Sequence, residues 1–268
     1  ADHYEQTLLG EGAVIASFAK RKALIQQQLL QVALAAGEGL KPIQDDALLM
    51  EVTGLVEKPN VLLCQFDKAF LEVPAECLVL TMKANQKYFP LLNAKNELTH
   101  QFLVVSNITP LDPSAVITGN ERVVRPRLAD AQFFFNQDRQ HTLASRVDRL
   151  GKVVYHNQLG TQQQRMLRVS ALVQQLSTVL STAEEKADAI NAAQLAKTDL
   201  LTDMVGEFPE LQGTMGAYYA LNDGHSQQVA QAIEDHYKPR FAGDELPRSP
   251  VGLAVALADK LETLAGMF

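Results

Sequence analysis

Val61-Leu62-Leu63-Cys64 is the stretch that decides the fold class, because the hydrophobic spacing of the chain changes there. Before it, apolar residues recur every three or four positions, which predicts helices over residues 11–36 and 48–55. The run itself is short and apolar, and it predicts a buried strand. Two further strands are predicted at Tyr88–Leu92 and Phe102–Ser106, joined through a polar turn. This succession of helices and strands indicates an α+β first part.

After about residue 112 the strand signals nearly stop, and helical periodicity takes over. Pro126 must begin a helix or kink one, because its ring removes a backbone donor. We therefore expect an α+β module over residues 1–150 and an all-α domain over residues 151–268. The later helices are predicted over residues 120–138, 161–181, 183–206, 209–221, 226–237 and 248–268.

The composition limits the classes of function. The chain has 268 residues, 47% hydrophobic content and a formal net charge of -7, with a pI of about 5.4. Domains that bind nucleic acids through bulk charge are basic, so any RNA contact must depend on a local basic patch. Cys64 and Cys77 lack metal-ligand spacing and fit a reducing, cytoplasmic setting. No apolar run reaches the roughly 20 residues of a membrane helix. The polar start and the apolar end predict an internal fragment of a longer chain.

The densest basic segment of the sequence contains Arg122, Arg125 and Arg127. Guanidinium groups can hold phosphates through paired hydrogen bonds. They can also pair with neighbouring acids such as Asp130, or lie in water. The run Phe133–Phe135 follows and could stack on bases. Three consecutive side chains cannot share one helix face, however, so this run favours core packing.

A second candidate segment, Met82–Phe89, mixes cationic, amide and aromatic side chains at a predicted helix-to-strand junction. Lys83 and Lys87 carry its charge. Such residue types suit contact with RNA. They suit a loop over a sheet edge equally well, so both interpretations stay open.

The sequence contains no glycine-rich phosphate loop, no nucleophile elbow and no HExxH helix. The layout of its second half resembles the HD superfamily of metal phosphohydrolases, in which a His, a His-Asp pair and a final Asp hold a divalent metal. Here Arg165 falls at the first His, Thr198-Asp199 at the His-Asp pair, and Asp259 at the last position. Two carboxylates without imidazoles suit a transition metal poorly. The resemblance therefore implies a degenerate HD-like domain that binds no metal.

Five longer stretches resemble the β subunit of the heterotetrameric bacterial glycyl-tRNA synthetase, in colinear order over nearly the whole chain. They are Thr81–Phe89, Gly119–Phe135, Met204–Gly213, Tyr237–Asp244 and Ala256–Leu261. The resemblance implies that the first half is similar to the B3/B4 region of the phenylalanyl-tRNA synthetase β subunit. It also implies an α2β2 assembly, in which the α subunit activates glycine with ATP and Mg while the β subunit binds tRNA(Gly).

The sequence thus predicts a tRNA-positioning fragment with no cofactor and no catalytic residue of its own. Its candidate tRNA contacts are Arg122, Arg125, Arg127, Lys83 and Lys87. Two other functions remain open. One is an active HD-type phosphohydrolase acting on nucleotides, and the other is an assembly scaffold that binds the α subunit without touching RNA.

Overall fold

The structure, a computed structural model, describes residues 2–176 and 180–268. It is mixed α+β, as the sequence predicts. Within these ranges the α-helices are α1 (Asp2–Glu11), α2 (Phe18–Ala36), α3 (Asp46–Leu55), α4 (Ala75–Gln86), α5 (Ser114–Asp138), α6 (Leu143–Arg146), α7 (Gln162–Gln175), α8 (Ala183–Leu195), α9 (Asp203–Glu207), α10 (Thr214–Asn222), α11 (Gln227–Asp235) and α12 (Pro250–Met267). The strands are β1 (Lys41–Pro42), β2 (Asn60–Gln65), β3 (Phe89–Leu92), β4 (Leu98–Ser106), β5 (Val154–His156) and β6 (Gly160–Thr161).

The chain divides into two compact units, Ala1–Gln132 and Phe133–Phe268. The residues just after this division pack within the second unit, where Leu143 and Leu150 are buried and the ring of Phe135 stacks on Tyr219 at 6.0 Å. The expected division between residues 150 and 151 falls inside this second unit and stays a prediction of domain organisation.

A four-stranded antiparallel sheet organises unit 1, with strand order β1-β3-β4-β2. The predicted apolar run forms β2, in which Val61 lies opposite Val105 and Cys64 opposite Phe102. Helices α2 and α3 cover the sheet, because their apolar faces form one core with it. That core contains Ile25, Leu29, Ala33, Leu48, Leu49, Val52, Val56, Val61, Phe89, Leu91 and Leu103.

The predicted polar turn between β3 and β4 is confirmed. The Asn93 side-chain oxygen accepts hydrogen bonds from the backbone N–H groups of Lys95 and Glu97, at 2.9 and 3.0 Å. Asn96 adopts a left-handed conformation with φ of 63°, which asparagine tolerates better than most residues. Local turn chemistry therefore fixes the pairing of these two strands.

The helix predicted over residues 11–36 is wrong in its first part. The chain is not helical over residues 12–17, where Ala13 has a positive φ of 53°. Ile15 instead donates its backbone N–H to the Glu57 carbonyl at 3.0 Å. Helix α2 begins only after Ser17, whose hydroxyl accepts a hydrogen bond from the Lys20 N–H, as expected of an N-cap.

Unit 2 is mainly helical. Helices α7, α8, α11 and α12 pack against one another, and β5 and β6 form a short hairpin that the sequence does not predict. The helix expected over residues 161–181 ends at Gln175, and residues 177–179 of that range lie outside the described residues. The helix expected over residues 183–206 is divided, because α8 ends at Leu195 and Thr202 caps the separate helix α9.

Candidate functional site

A buried cluster of charged side chains lies in unit 2, where α7, α12 and the segment after α8 meet. Helix α7 contributes Arg165 and helix α12 contributes Asp259 and Glu262. Lys197 and Asp199 come from the turn that follows α8. Each of these five groups except Asp259, which is largely enclosed, is less than a tenth exposed. Burying charges is costly unless each charge has a partner, so their pairing decides what the cluster can do.

Arg165 forms the centre of this cluster. Its Nη2 lies 3.0 Å from Asp259 Oδ1, and its Nε donates to Glu262 Oε2 at 2.9 Å. Nη2 also donates to the Thr263 hydroxyl at 2.8 Å. The guanidinium carbon lies 4.3 Å from the ring centroid of Tyr155. The guanidinium group is therefore held on one side by two carboxylates and on the other by an aromatic face.

Lys197 adds a second buried cation beside the same carboxylate. Its Nζ lies 3.7 Å from Asp259 Oδ1 and 3.8 Å from the ring centroid of Tyr237. Burial lowers the pKa of Lys197 to about 8, although Asp259 opposes this shift. The cluster therefore holds its ammonium group near the limit at which a lysine stays charged at neutral pH.

Asp199 is completely buried and is held by backbone donors. Its Oδ2 accepts hydrogen bonds from the N–H groups of Gly213 at 2.5 Å and Gly216 at 3.2 Å, whereas its Oδ1 has no partner among the described residues. Burial raises the pKa of this carboxyl to about 6, against the effect of the backbone donors. A Cβ on Gly216 would lie 2.7 Å from Ile233 Cγ2 and 3.0 Å from Asp199 Oδ2, so the close packing favours glycine there. Thr198, the residue before Asp199, donates its hydroxyl to the Leu195 carbonyl at 2.7 Å.

His236 lies against this cluster as a neutral ring. Its Nδ1 is 2.5 Å from the Ile233 carbonyl, which can only accept, so the proton is on Nδ1. Its Nε2 has no partner among the described residues. Burial, followed by the charge of Lys197, puts the pKa of His236 well below its usual value.

The space left inside the cluster is very small. The cavity bounded by Arg165, Lys197, His236 and Asp259 has a volume of about 10 Å³, which is room for about one water molecule. Both Arg165 and Lys197 direct positive charge at Asp259, the carboxylate that a metal would need. Among residues 2–176 and 180–268, no group of three or more His, Cys, Asp or Glu side chains is arranged to hold a metal. The residues present do not fit the divalent metal of HD-type enzymes.

The predicted arginine segment lies on the surface of unit 1, on helix α5. Arg122, Arg125 and Arg127 are exposed, and none forms a hydrogen bond or an ion pair with the part of the chain that the structure describes. The neighbouring acid Glu121 instead accepts a hydrogen bond from the Gln65 N–H at 2.9 Å. Asp130 is exposed and does not pair with them. The three guanidinium groups are therefore available to an external anion.

The helix does not present the three arginines as one group. At about 100° per residue, Arg122 and Arg125 project within about 60° of each other, whereas Arg127 projects about 140° away from Arg122. The buried residues Val124 and Leu128 lie between Arg125 and Arg127 around the helix. Arg125 also borders a surface cavity of about 310 Å³, lined by Gln65, Phe66, Asp67, Glu121 and Arg125.

Of the three phenylalanines after this segment, Phe135 is buried, Phe134 is half-buried and Phe133 is 61% exposed. Core packing is therefore confirmed for Phe135 but is wrong for Phe133, which projects about 160° away from Phe135 around the helix and falls on its exposed side. Phe133 and Phe134 make an edge-on ring contact at 5.8 Å.

The two predicted lysines are in ion pairs within unit 1. Lys83 pairs with Asp45, and Lys87 Nζ lies 2.9 Å from Glu51 Oε1. Lys87 also ends helix α4 in a left-handed conformation with φ of 58°. These lysines contribute less uncompensated charge than the arginines of α5, and their role in RNA contact stays a prediction.

Sequence reasoning missed four members of the buried cluster, namely Lys197, Glu262, His236 and Tyr237. Glu262 follows Asp259 by three residues and thus lies on the same side of α12. This spacing could have identified Glu262 from the sequence. His236 and Tyr237 have no such local signal, because only the packing of α11 brings them to Lys197.

No helix in the described parts of the chain combines the length and the apolar character needed to cross a membrane.

Comparison with known proteins identifies the family. Residues 1–268 match the family model described as glycyl-tRNA synthetase beta subunit. The chain is 69% identical to the glycine–tRNA ligase beta subunits of Polaromonas naphthalenivorans and Delftia acidovorans, and 68% identical to that of a Janthinobacterium species. Each match covers 100% of this chain and 38% of the relative, so the chain spans well under half the length of these proteins. The chain belongs to the glycyl-tRNA synthetase beta subunit family.

Proposed function

We propose that this chain is an RNA-positioning part of a glycine–tRNA ligase β subunit, and that glycine is activated with ATP and Mg on a separate α subunit. The single observation that carries the RNA role is the set of exposed, unpaired arginines on helix α5. In a chain with a net charge of -7, such a local positive region is what would draw the phosphate backbone of tRNA(Gly).

The contribution to the reaction is one of placement. A subunit that holds the tRNA body fixes the position of the acceptor end relative to the activated glycine. The transfer of glycine to the tRNA then proceeds as an effectively unimolecular step. The contacts from Arg122 and Arg125 would be to phosphates, so they would recognise the shape of the RNA more than its base sequence. The α2β2 assembly and the cytoplasmic setting belong to the same proposal.

The experiment measures tRNA binding by the complete α/β enzyme across a range of salt concentrations. We expect Arg122→Gln and Arg125→Gln each to reduce the slope of log affinity against log salt by about 0.9 or somewhat less. The loss should be similar for cognate and non-cognate tRNA. Arg149→Gln serves as a matched control, since this arginine is exposed and lies outside α5. Unchanged slopes in both α5 variants, with a lowered melting temperature, would make these residues architectural.

An active HD-type phosphohydrolase is the second candidate. The closed cluster argues against it, because Arg165 and Lys197 direct positive charge at Asp259. The test is metal analysis of the dialysed protein together with phosphatase assays on nucleotides. Stoichiometric transition metal, with an activity that Asp199→Ala abolishes, would favour the phosphohydrolase.

A scaffold that binds only the α subunit is the third candidate. It is distinguished by a gel-shift with tRNA at low salt, with and without the α subunit. Retardation of tRNA that is lost in the Arg122→Gln/Arg125→Gln double variant supports RNA contact. Full retention of the shift in that variant contradicts the assignment of the α5 arginines.

A further inference from the structure

Helix α12 has apolar residues on its exposed side as well as on its buried side. It packs against α7, α8 and α11 and buries Val251, Val255 and Ala258 completely. Four of its leucines are only partly covered by this packing. They are Leu253, Leu257, Leu261 and Leu264, which are 37%, 37%, 43% and 55% exposed.

The four leucines form one continuous stripe, called here the α12 seam. Their spacing of four, four and three residues places them within about 80° of one another around the helix, over a length of about 16 Å. This spacing is that of a helix that packs against another helix. The geometry of the seam is therefore that of a helix-docking surface. Exposed leucines scattered singly over a surface would need no such explanation.

The charged side chains of α12 are all used inside unit 2. Asp259 and Glu262 pair with Arg165. Lys260 Nζ donates to the Lys238 carbonyl at 2.7 Å. Lys260 lies beside the seam around the helix, but its ammonium group is engaged by the backbone carbonyls of residues 236–238.

The character of the seam selects among possible occupants. RNA would need cationic groups, and transient protein interfaces are more polar than permanent ones. An uncharged leucine stripe fits a permanent contact with another apolar helix. In the related β subunits such a helix could come from the same polypeptide, because the chain spans only 38% of their length.

We propose that the α12 seam packs against an apolar helix contributed by the part of the full-length β subunit outside residues 1–268. The contact joins this fragment to the rest of its own chain, so it forms in the β subunit alone, before the α subunit or tRNA is bound. This inference depends on the family assignment and is independent of the proposed tRNA role of α5.

The test measures the maleimide reactivity of single cysteines in the full-length β subunit. Leu257→Cys and Leu261→Cys report on the seam, and Leu167→Cys is the matched control because Leu167 is a leucine of α7 that is 59% exposed. The two native cysteines, Cys64 and Cys77, are buried. We expect both seam cysteines to react at least about ten-fold more slowly than the control in the isolated β subunit, at all protein concentrations.

Three results would overturn the proposal. Seam cysteines that react as fast as the control in the isolated subunit and slow down only with the α subunit assign the seam to that partner. Slowing only with tRNA assigns it to RNA, and slowing only at high protein concentration assigns it to a second copy. If the cysteine variants do not fold, hydroxyl-radical footprinting of the unaltered subunit replaces them, with protection of the four seam leucines relative to Leu167 as the expected result.

Discussion

At the residue scale, the buried cluster is held by mutual neutralisation. Arg165 contacts two carboxylates, and Asp259 contacts two cations. Such a group is costly to assemble, since each charge loses its water. Once assembled, it is intolerant of losing one partner. The stability of unit 2 therefore depends on keeping these buried ion pairs intact.

We predict that Arg165→Ala lowers the free energy of unfolding by about 3 to 5 kcal/mol, because it leaves Asp259 and Glu262 with fewer buried partners. The measurement is denaturant unfolding followed by circular dichroism. Arg127→Ala is the matched control, because this exposed and unpaired arginine should change stability by no more than about 0.5 kcal/mol. A similar small change for both variants would contradict the structural role of the cluster.

Asp199 should make stability depend on pH. Burial raises its folded-state pKa from 3.8 to about 6, so the folded state binds the proton more tightly than the unfolded state does. The resulting stabilisation is fully present below about pH 3.8 and is lost as the pH rises through about 6. We expect the wild type to lose stability relative to Asp199→Asn as the pH rises from 4 to 7. The loss in its free energy of unfolding should be on the order of 3 kcal/mol.

Urea unfolding of both proteins at several pH values measures this difference. The opposite trend, with the wild type gaining stability over Asp199→Asn as the pH rises, would mean that the Gly213 and Gly216 donors dominate over burial. Lys197 titrates higher, since its pKa is about 8, and so contributes little to the change in this window.

At the element scale, helix α5 combines the candidate RNA contacts with a helix-breaking residue. Pro126 lies in its interior. The proline ring cannot donate to the carbonyl four residues back, which is that of Arg122, and it crowds that carbonyl. The arginines on either side of the proline are therefore presented by a locally weakened helix.

We predict that Pro126→Ala raises the free energy of unfolding by about 1 to 3 kcal/mol, because it restores the missing hydrogen bond and removes the ring clash. Ala129→Pro, at an exposed position of the same helix, should instead cost about 3 kcal/mol or more. Denaturant unfolding measures both changes. Weaker tRNA binding in the more stable Pro126→Ala variant would show that the local distortion positions the arginines, whereas equal stability would show that the helix already accommodates the ring.

The elements that the sequence predicts well are those with local signals. The strand at Val61–Cys64 follows from its apolar run, and the β3–β4 turn follows from its asparagines. The break over residues 12–17 was missed because Val14 and Ile15 continue the apolar spacing of a helix, while a bond from Ile15 to Glu57 holds them outside it. The hairpin of β5 and β6 was missed because strands of two and three residues carry no periodic signal.

The candidate sites divide in the same way. Arg122, Arg125 and Arg127 could be found because they are close in sequence, but their distribution around α5 depends on helix geometry. The pairing of Arg165 with Glu262 could not be predicted, because it joins residues 97 positions apart. The resemblance to the HD superfamily suggested Arg165, Thr198, Asp199 and Asp259 as candidates without supplying their contacts.

At the scale of the whole molecule, acidic residues outnumber basic ones in each of the two units. Long-range electrostatics therefore does not attract RNA to either unit as a body, and binding has to come from local groups. Catalysis would also have to come from local groups. The arginines of α5 can bind an anion and the closed cluster of unit 2 can stabilise the fold, but neither offers a nucleophile or base exposed beside a substrate-sized cavity.

We therefore expect the chain of residues 1–268 alone to show only background ATP–pyrophosphate exchange with glycine and no charging of tRNA. Two observations motivate this expectation. The sequence has no glycine-rich phosphate loop, and the buried cluster around Arg165 leaves a cavity of about 10 Å³, far below the several hundred Å³ of a nucleotide site. The assay uses pure chain, with the complete α/β enzyme as the positive control.

An α/β enzyme that carries Arg122→Gln and Arg125→Gln separates the two steps, adenylate formation and tRNA charging. Its exchange rate should stay at the wild-type level, because the proposal places adenylate formation on the α subunit, while its charging rate falls as the affinity for tRNA falls. Robust exchange by the 1–268 chain, or loss of exchange in that double variant, would place the activation of glycine in this chain and contradict the proposed division of labour.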